Sequence, residues 1–186
     1  MNVYLSGLIG SGKTTLGEGL AARLGRPFFD LDREMDAALG RSFHDLVREQ
    51  GWLAFRELEY GIVKRFTALD RAVCALGGGT VRYAWNRDAL RGRGMLVFLE
   101  ADLATLAARV RAADRPRVNP GVSLEEDLAA IWAAAEPLYR AADLTYRTDR
   151  GASAEQELDE LTPLLPERGA QRRAPTVARR TSRATS

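Results

Sequence analysis

Apolar residues fall into two rhythms along the chain. Short, nearly continuous apolar runs occupy residues 2–6, 27–31, 71–76, 95–99 and 144–147, and each reads as a buried strand. Between them, apolar positions return every three or four residues. Leu16, Leu20, Ala21 and Leu24 mark a helix over 13–24, and Met35, Leu39, Leu46 and Val47 mark short helices broken at Gly40-Arg41-Ser42. Phe55, Leu58, Ile62, Val63 and Phe66 form one side of a longer helix over 52–69. Further helical stretches lie near 85–90 and over 103–110, 124–141 and about 154–165, while Asp114 to Gly121 (DRPRVNPG) must be a loop.

Strands alternating with helices specify an α/β domain with a parallel sheet covered on both faces, because parallel neighbours need crossover connections that lie on the sheet. The pattern predicts five strands in one domain, with no repeat and no second domain. Ligands of such sheets bind at the carboxyl ends of the strands. The chemically unusual residues, Gly7 to Thr14, Asp30 with Asp32, and Gly77 to Gly79, all follow strands directly and are expected to converge.

Gly7-Leu8-Ile9-Gly10-Ser11-Gly12-Lys13-Thr14 matches G-x-x-x-x-G-K-S/T, the P-loop or Walker A pattern, between a strand and a helix. Its glycines let successive backbone N–H groups aim at phosphate oxygens, and the helix N-terminus adds partial positive charge. Gly10, Ser11, Gly12, Lys13, Thr14 and Thr15 are thus candidate ATP contacts. Lys13 would reach the β- and γ-phosphates, and the Thr14 hydroxyl would ligate Mg²⁺. Only Lys13 and Lys64 are lysines among 27 cationic side chains. A lysine in the one motif that needs a compact ammonium is therefore informative.

Strand alternation sends Asp30 and Asp32 to the same side, so one could hold water on Mg²⁺ while the other engages a substrate hydroxyl. Asp32 could instead cap a helix beginning near Arg33. Arg56, Glu57 and Glu59 read by themselves as a solvated charged face, and Arg140 as a helix-end arginine favoured by the dipole. Gly77-Gly78-Gly79 is either a tight turn or a place where something approaches the backbone closely. Arg115 and Arg117 lie on a Pro- and Gly-rich loop suited to a lid that delivers cation to the transferring phosphoryl group.

Composition narrows the classes. Cys74 and His44 are the only residues of their kinds, so no internal disulfide and no Cys/His metal site can form, and any metal must be held by oxygen. Residues 1–6 lack a cationic start to a long apolar stretch, and no run is long enough to span a bilayer, so a cytoplasmic protein is expected. The formal net charge is +2. Six Arg and one Glu in residues 166–186 contribute +5 of it, leaving −3 for the rest. That tail has little to bury and reads as disordered. Its arginines could touch an anionic surface or nucleic acid, but no aromatic residue is interleaved for stacking, so neither partner is expected.

In order, GLIGSGKTT, FFDLDREMD, GRSFHDLVREQGWLAFRELE, LGGGTV, DRP and PLYRAADL resemble the successive signatures of the shikimate kinases, over about residues 1–165. The resemblance implies a three-layer P-loop kinase fold with a five-stranded parallel sheet flanked by helices, and a mobile lid at about 114–123. It implies ATP-dependent phosphorylation of shikimate to shikimate 3-phosphate, with Mg²⁺ as cofactor, in aromatic amino acid biosynthesis. Asp32 would bind shikimate hydroxyls and orient or deprotonate the attacking one. Arg56 and Arg140 would clamp the carboxylate, and Gly78 and Gly79 would offer backbone N–H groups. Asp30 would support Mg²⁺ through water beside Thr14, Arg115 would serve the phosphates from the lid, and Arg109 would stack on adenine. A monomer is expected. The family usually continues with two leucines after Arg115-Pro116; here Arg117 and Val118 follow, so the lid's inner face differs. Two other readings stand beside this one: another small-molecule kinase of the P-loop group, such as a gluconate kinase, or a non-catalytic ATP-binding regulatory protein.

Overall fold

A computed structural model describes residues 1–112 and 121–165. Arg115, Arg117, most of the expected lid, and the tail 166–186 lie outside the described residues. Five strands are present, β1 (Asn2–Ser6), β2 (Phe28–Asp30), β3 (Val73–Ala75), β4 (Gly94–Glu100) and β5 (Leu144–Arg147). They form one all-parallel sheet in the order β2-β3-β1-β4-β5. β1 is the central strand, with Tyr4 in register with Cys74 of β3 and Leu96 of β4.

The period of two along each strand builds two apolar layers. Tyr4, Cys74 and Phe98 point to one face. There they meet α2 (Leu31–Leu39), α3 (Phe43–Thr67) and α6 (Leu124–Arg140) through Met35, Ile62, Phe66, Leu128 and Tyr139. Val3, Leu5, Val73, Val97 and Leu99 point to the other, against Leu16 and Leu20 of α1 (Lys13–Leu24) and Leu158 and Leu161 of α7 (Ala154–Leu161). The remaining elements are α4 (Ala84–Leu90), α5 (Leu103–Ala112), a 3₁₀ turn at Thr80–Arg82 and another at Thr162–Leu164. The expected three-layer α/β fold is thus formed.

Two local expectations are corrected. The second strand ends at Asp30, and Leu31 already belongs to α2, because the Asp30 carboxylate accepts hydrogen bonds from the N–H groups of Asp32 (3.1 Å) and Arg33 (3.4 Å). Asp30, rather than Asp32, is the cap. The helix expected from Trp52 is the second limb of α3, which starts at Phe43 under a Ser42 cap and kinks at Gly51, where φ is 79°. Only a residue tolerant of positive φ allows that bend.

Asn2 ties the sheet to the C-terminal end of α3. Its side chain is only 1% exposed. Its amide donates to the carbonyls of Phe66 (3.1 Å) and Leu69 (2.8 Å), and its carbonyl accepts from the Ala72 N–H at 3.0 Å. Replacing it removes a donor from the Leu69 carbonyl and the acceptor of the Ala72 N–H, while the Phe66 carbonyl keeps the Leu69 N–H at 3.2 Å. We expect Asn2→Ala to lower unfolding free energy by about 2 kcal/mol, measured by urea denaturation, while leaving nucleotide affinity unchanged.

Candidate active site

The loop between β1 and α1 owes its shape to glycines. Gly12 precedes α1 with φ 91°, and a Cβ on Gly7 (φ 148°) would lie 2.5 Å from Ser11 Oγ and 2.6 Å from the Leu99 carbonyl. No side chain caps the first turn of α1, so its N–H groups are left to face the loop's own concavity. Lys13 folds back over that loop, its Nζ donating to the carbonyls of Gly7 and Leu8, each at 2.9 Å. The ammonium therefore stands at the mouth of the cradle.

Thr14 Oγ1 donates to Asp30 Oδ2 at 2.7 Å, while the other Asp30 oxygen caps α2. This one carboxylate couples the phosphate loop to the end of β2. No group of three or more His, Cys, Asp or Glu able to hold a metal occurs among the described residues. A hydroxyl and a carboxylate side by side nevertheless suit Mg²⁺, a hard cation that keeps several waters and takes its other ligands from phosphates. Asp32 lines the same cleft from the first turn of α2, where helix geometry rather than strand alternation places it.

That cleft has a volume of about 390 Å³ and runs from the phosphate loop to the triple glycine. Its far wall is organised by Glu59, which is 1% exposed. Glu59 accepts from Arg56 Nη1 (2.8 Å), Thr80 Oγ1 (2.8 Å) and Asn86 Nδ2 (3.2 Å). A buried carboxylate is tolerable only with such donors, and this one sets the pose of Arg56. The Arg56 guanidinium also lies 4.3 Å from the Tyr83 ring centre and 4.6 Å from that of Phe55. Reading 56–59 as a solvated face holds for exposed Glu57 and fails for Glu59. Sequence spacing carries no signal of that burial, which depends on Thr80 and Asn86 arriving from elsewhere in the chain.

The triple glycine is a place of close approach. A Cβ on Gly78 would come within 3.3 Å of the Ile9 backbone nitrogen, and one on Gly79 within 3.5 Å of Arg56 Nη2. The Gly78 carbonyl accepts from the Tyr139 hydroxyl at 2.5 Å. Burial pushes that hydroxyl up to about 12, so it remains a donor at neutral pH.

Lys13, Thr14, Thr15, Asp30, Asp32, Arg56, Gly78 and Gly79 therefore line one cleft, together with Gly10 and Gly12, while Ser11 is buried beneath the loop. Arg109 lies behind it, with Nη1 donating to Thr148 Oγ1 at 3.1 Å and to the Gly10 carbonyl at 3.4 Å. Arg140 does not reach the cleft. It is 47% exposed and held by Glu136 and Glu100, each at 2.7 Å. The face of α6 toward the cleft is the stripe Leu124, Asp127, Leu128 and Ile131, and at helical spacing it continues to buried Ala135 and Tyr139. Arg140, one residue past Tyr139, is turned about 100° away. A cation that the sequence reading passed over, Arg82, does line the cleft.

A phosphate loop on a five-stranded parallel sheet, with a carboxylate and an arginine across a small cleft, is an arrangement found in known proteins. Residues 9–165 match the family model described as shikimate kinase. The shikimate kinase of Symbiobacterium thermophilum is 42% identical over 173 residues, covering 91% of this chain and 98% of that protein. That of Chromohalobacter salexigens is 40% identical over 150 residues, covering 80% and 83%. Among solved structures, shikimate kinase from Acinetobacter baumannii in complex with shikimate superposes with a TM-score of 0.80 at 33% identity, covering 88% of this chain and 92% of that one. In sequence over nearly its whole described length, and in fold, this chain belongs to the shikimate kinase family.

Proposed function

We propose that this chain transfers the γ-phosphoryl group of ATP to a hydroxyl of shikimate, giving ADP and shikimate 3-phosphate. The observation that carries the reading is the cleft itself: a phosphate cradle at one end, a guanidinium held by a buried carboxylate at the other, and Asp32 between them. Arg56 matches a planar substrate carboxylate with a rigid fork of donors, which distinguishes an acidic polyol from a nucleoside. Asp32 accepts the proton of the attacking hydroxyl or orients it. Gly78 and Gly79 let the substrate approach the backbone.

Gly10, Ser11, Gly12 and Thr15 hold the phosphates of ATP together with Lys13, which neutralises charge on them as the bond to the leaving oxygen lengthens. Arg109 supports the nucleotide from behind the loop, and Arg115 serves the phosphates as a lid arginine. Thr14 and Asp30 would hold Mg²⁺, directly and through water; when bound, the ion supplies charge neutralisation on the phosphate oxygens. Alignment and electrostatics account for the chemistry, since phosphoryl transfer asks little covalent work of the protein. No helix among the described residues is long and apolar enough to cross a membrane. Dependence on ATP supports a cytoplasmic place of action.

The deciding experiment is a substrate screen by coupled ADP release: turnover on shikimate is expected, and turnover on gluconate but not shikimate overturns the reading. Arg56→Ala should raise KM for shikimate about 10- to 100-fold, the loss of a charge-assisted hydrogen bond, while leaving KM for ATP nearly unchanged. Equal damage to both would reject the carboxylate role. Asp30→Asn, which retains a capping oxygen but loses the charge, should raise the Mg²⁺ concentration needed for half-maximal rate without lowering thermal stability by more than a few degrees.

A further inference from the structure

Among the described residues, two guanidinium groups, those of Arg140 and Arg82, are the candidates to join Arg56 on a substrate carboxylate, and they differ in what already holds them. Arg140 is engaged by two carboxylates, Glu136 and Glu100, and its guanidinium also sits 5.4 Å from the Trp132 ring centre. It stands outside the cleft, and to enter it would have to give up both ion pairs. Arg82 is the opposite case. It is half-buried and lines the cleft beside the triple glycine, and among the described residues its guanidinium makes no hydrogen bond and no ion pair. A half-buried cation in a ligand cleft with no protein partner is poised for an anion that arrives from solvent.

The surrounding geometry points the same way. A Cβ on Gly79 would meet Arg56 Nη2 at 3.5 Å and Arg82 Cδ at 3.8 Å, so the two arginine side chains flank one glycine. Their charges also both act on the Tyr139 hydroxyl, which donates to the neighbouring Gly78 carbonyl. Backbone N–H of Arg82 donates to the Gly79 carbonyl at 3.0 Å, anchoring the residue in the 3₁₀ turn that follows the glycines. On the facing helix the stripe toward the cleft carries Leu124, Asp127, Leu128 and Ile131 and then buried Ala135, so α6 supplies a carboxylate but no cation to this wall.

We propose that Arg82, and not Arg140, is the second guanidinium that receives the substrate carboxylate beside Arg56. This rests on the shikimate reading above and assigns a specificity-determining residue within it. Arg56 offers its remaining Nη2 face while Nη1 stays on Glu59, and Arg82 closes on the other carboxylate oxygen from across Gly79. The pair is then asymmetric: Arg56 is preset by a buried partner, and Arg82 is ordered by the substrate.

Steady-state kinetics with shikimate and with its methyl ester, which keeps the hydroxyls but removes the charge, tests the assignment. Arg82→Ala should raise KM for shikimate about tenfold, leave KM for ATP unchanged, and reduce the wild-type preference for acid over ester by a similar factor. Arg82→Lys should recover part of that preference, and unchanged thermal unfolding of both variants is expected because Arg82 has no partner to lose. Arg140→Ala should leave the preference intact. Wild-type turnover on shikimate with an undiminished acid preference in Arg82→Ala, or a lost preference in Arg140→Ala, overturns the assignment alone. Absence of wild-type turnover on shikimate overturns the substrate reading and the assignment with it.

Discussion

A carboxylate with almost no exposure organises the acceptor half of this protein. Glu59 draws donors from three separate places, Arg56 on its own helix, Thr80 in the turn after the triple glycine, and Asn86 on α4. Without them its burial would be prohibitive; with them, α3, the glycine turn and α4 are fixed to one another. The pocket wall is therefore a by-product of satisfying one buried charge. Arg56 emerges from that arrangement already aimed, with aromatic rings of Phe55 and Tyr83 limiting its freedom. Preorganisation of this kind reduces the entropy lost on binding.

The donor half rests on a second shared carboxylate. Asp30 caps α2 with one oxygen and accepts the Thr14 hydroxyl with the other, so the start of the phosphate helix and the end of β2 are joined through a single side chain. Parallel strand order then does the rest: β3, β1 and β2 deliver the triple glycine, the phosphate loop and the two aspartates to the same edge. The two halves meet where Gly78 comes against the backbone of Ile9, a contact that a Cβ would tighten to 3.3 Å.

How much of this could be read along the chain depends on the distance over which each feature is determined. The phosphate loop was legible because its geometry is set by eight consecutive residues and their flanks. The alternation of strands and helices was legible because burial of a parallel strand imposes an apolar run. Asp30 and Asp32 were legible as a pair, but the helix cap fell to Asp30 rather than Asp32, since a strand period was extended past the point where capping turns the chain into a helix. The kink at Gly51 joined what had looked like separate helices. Glu59 and Arg82 were not legible: two of the three donors that bury Glu59 lie 21 and 27 residues away, and Arg82 is marked out by making no side-chain hydrogen bond or ion pair among the described residues.

What the sequence by itself determined is the chemistry at the ends of the strands: an ATP-phosphate cradle, a carboxylate pair, and a glycine turn on an α/β sheet. The shikimate kinase resemblance, carried by several motifs in order, determined the family. What only the tertiary structure decided is which arginines line the cleft. Arg140 belongs to the PLYRAADL signature, yet its place on α6 carries it out of the cleft to Glu136 and Glu100. Arg82 has no motif of its own, yet the turn after Gly79 leaves it lining the cleft with no side-chain hydrogen bond or ion pair among the described residues. Residue type and spacing name the groups available, but helix rotation and the competition among charges settle which of them remain available to a ligand.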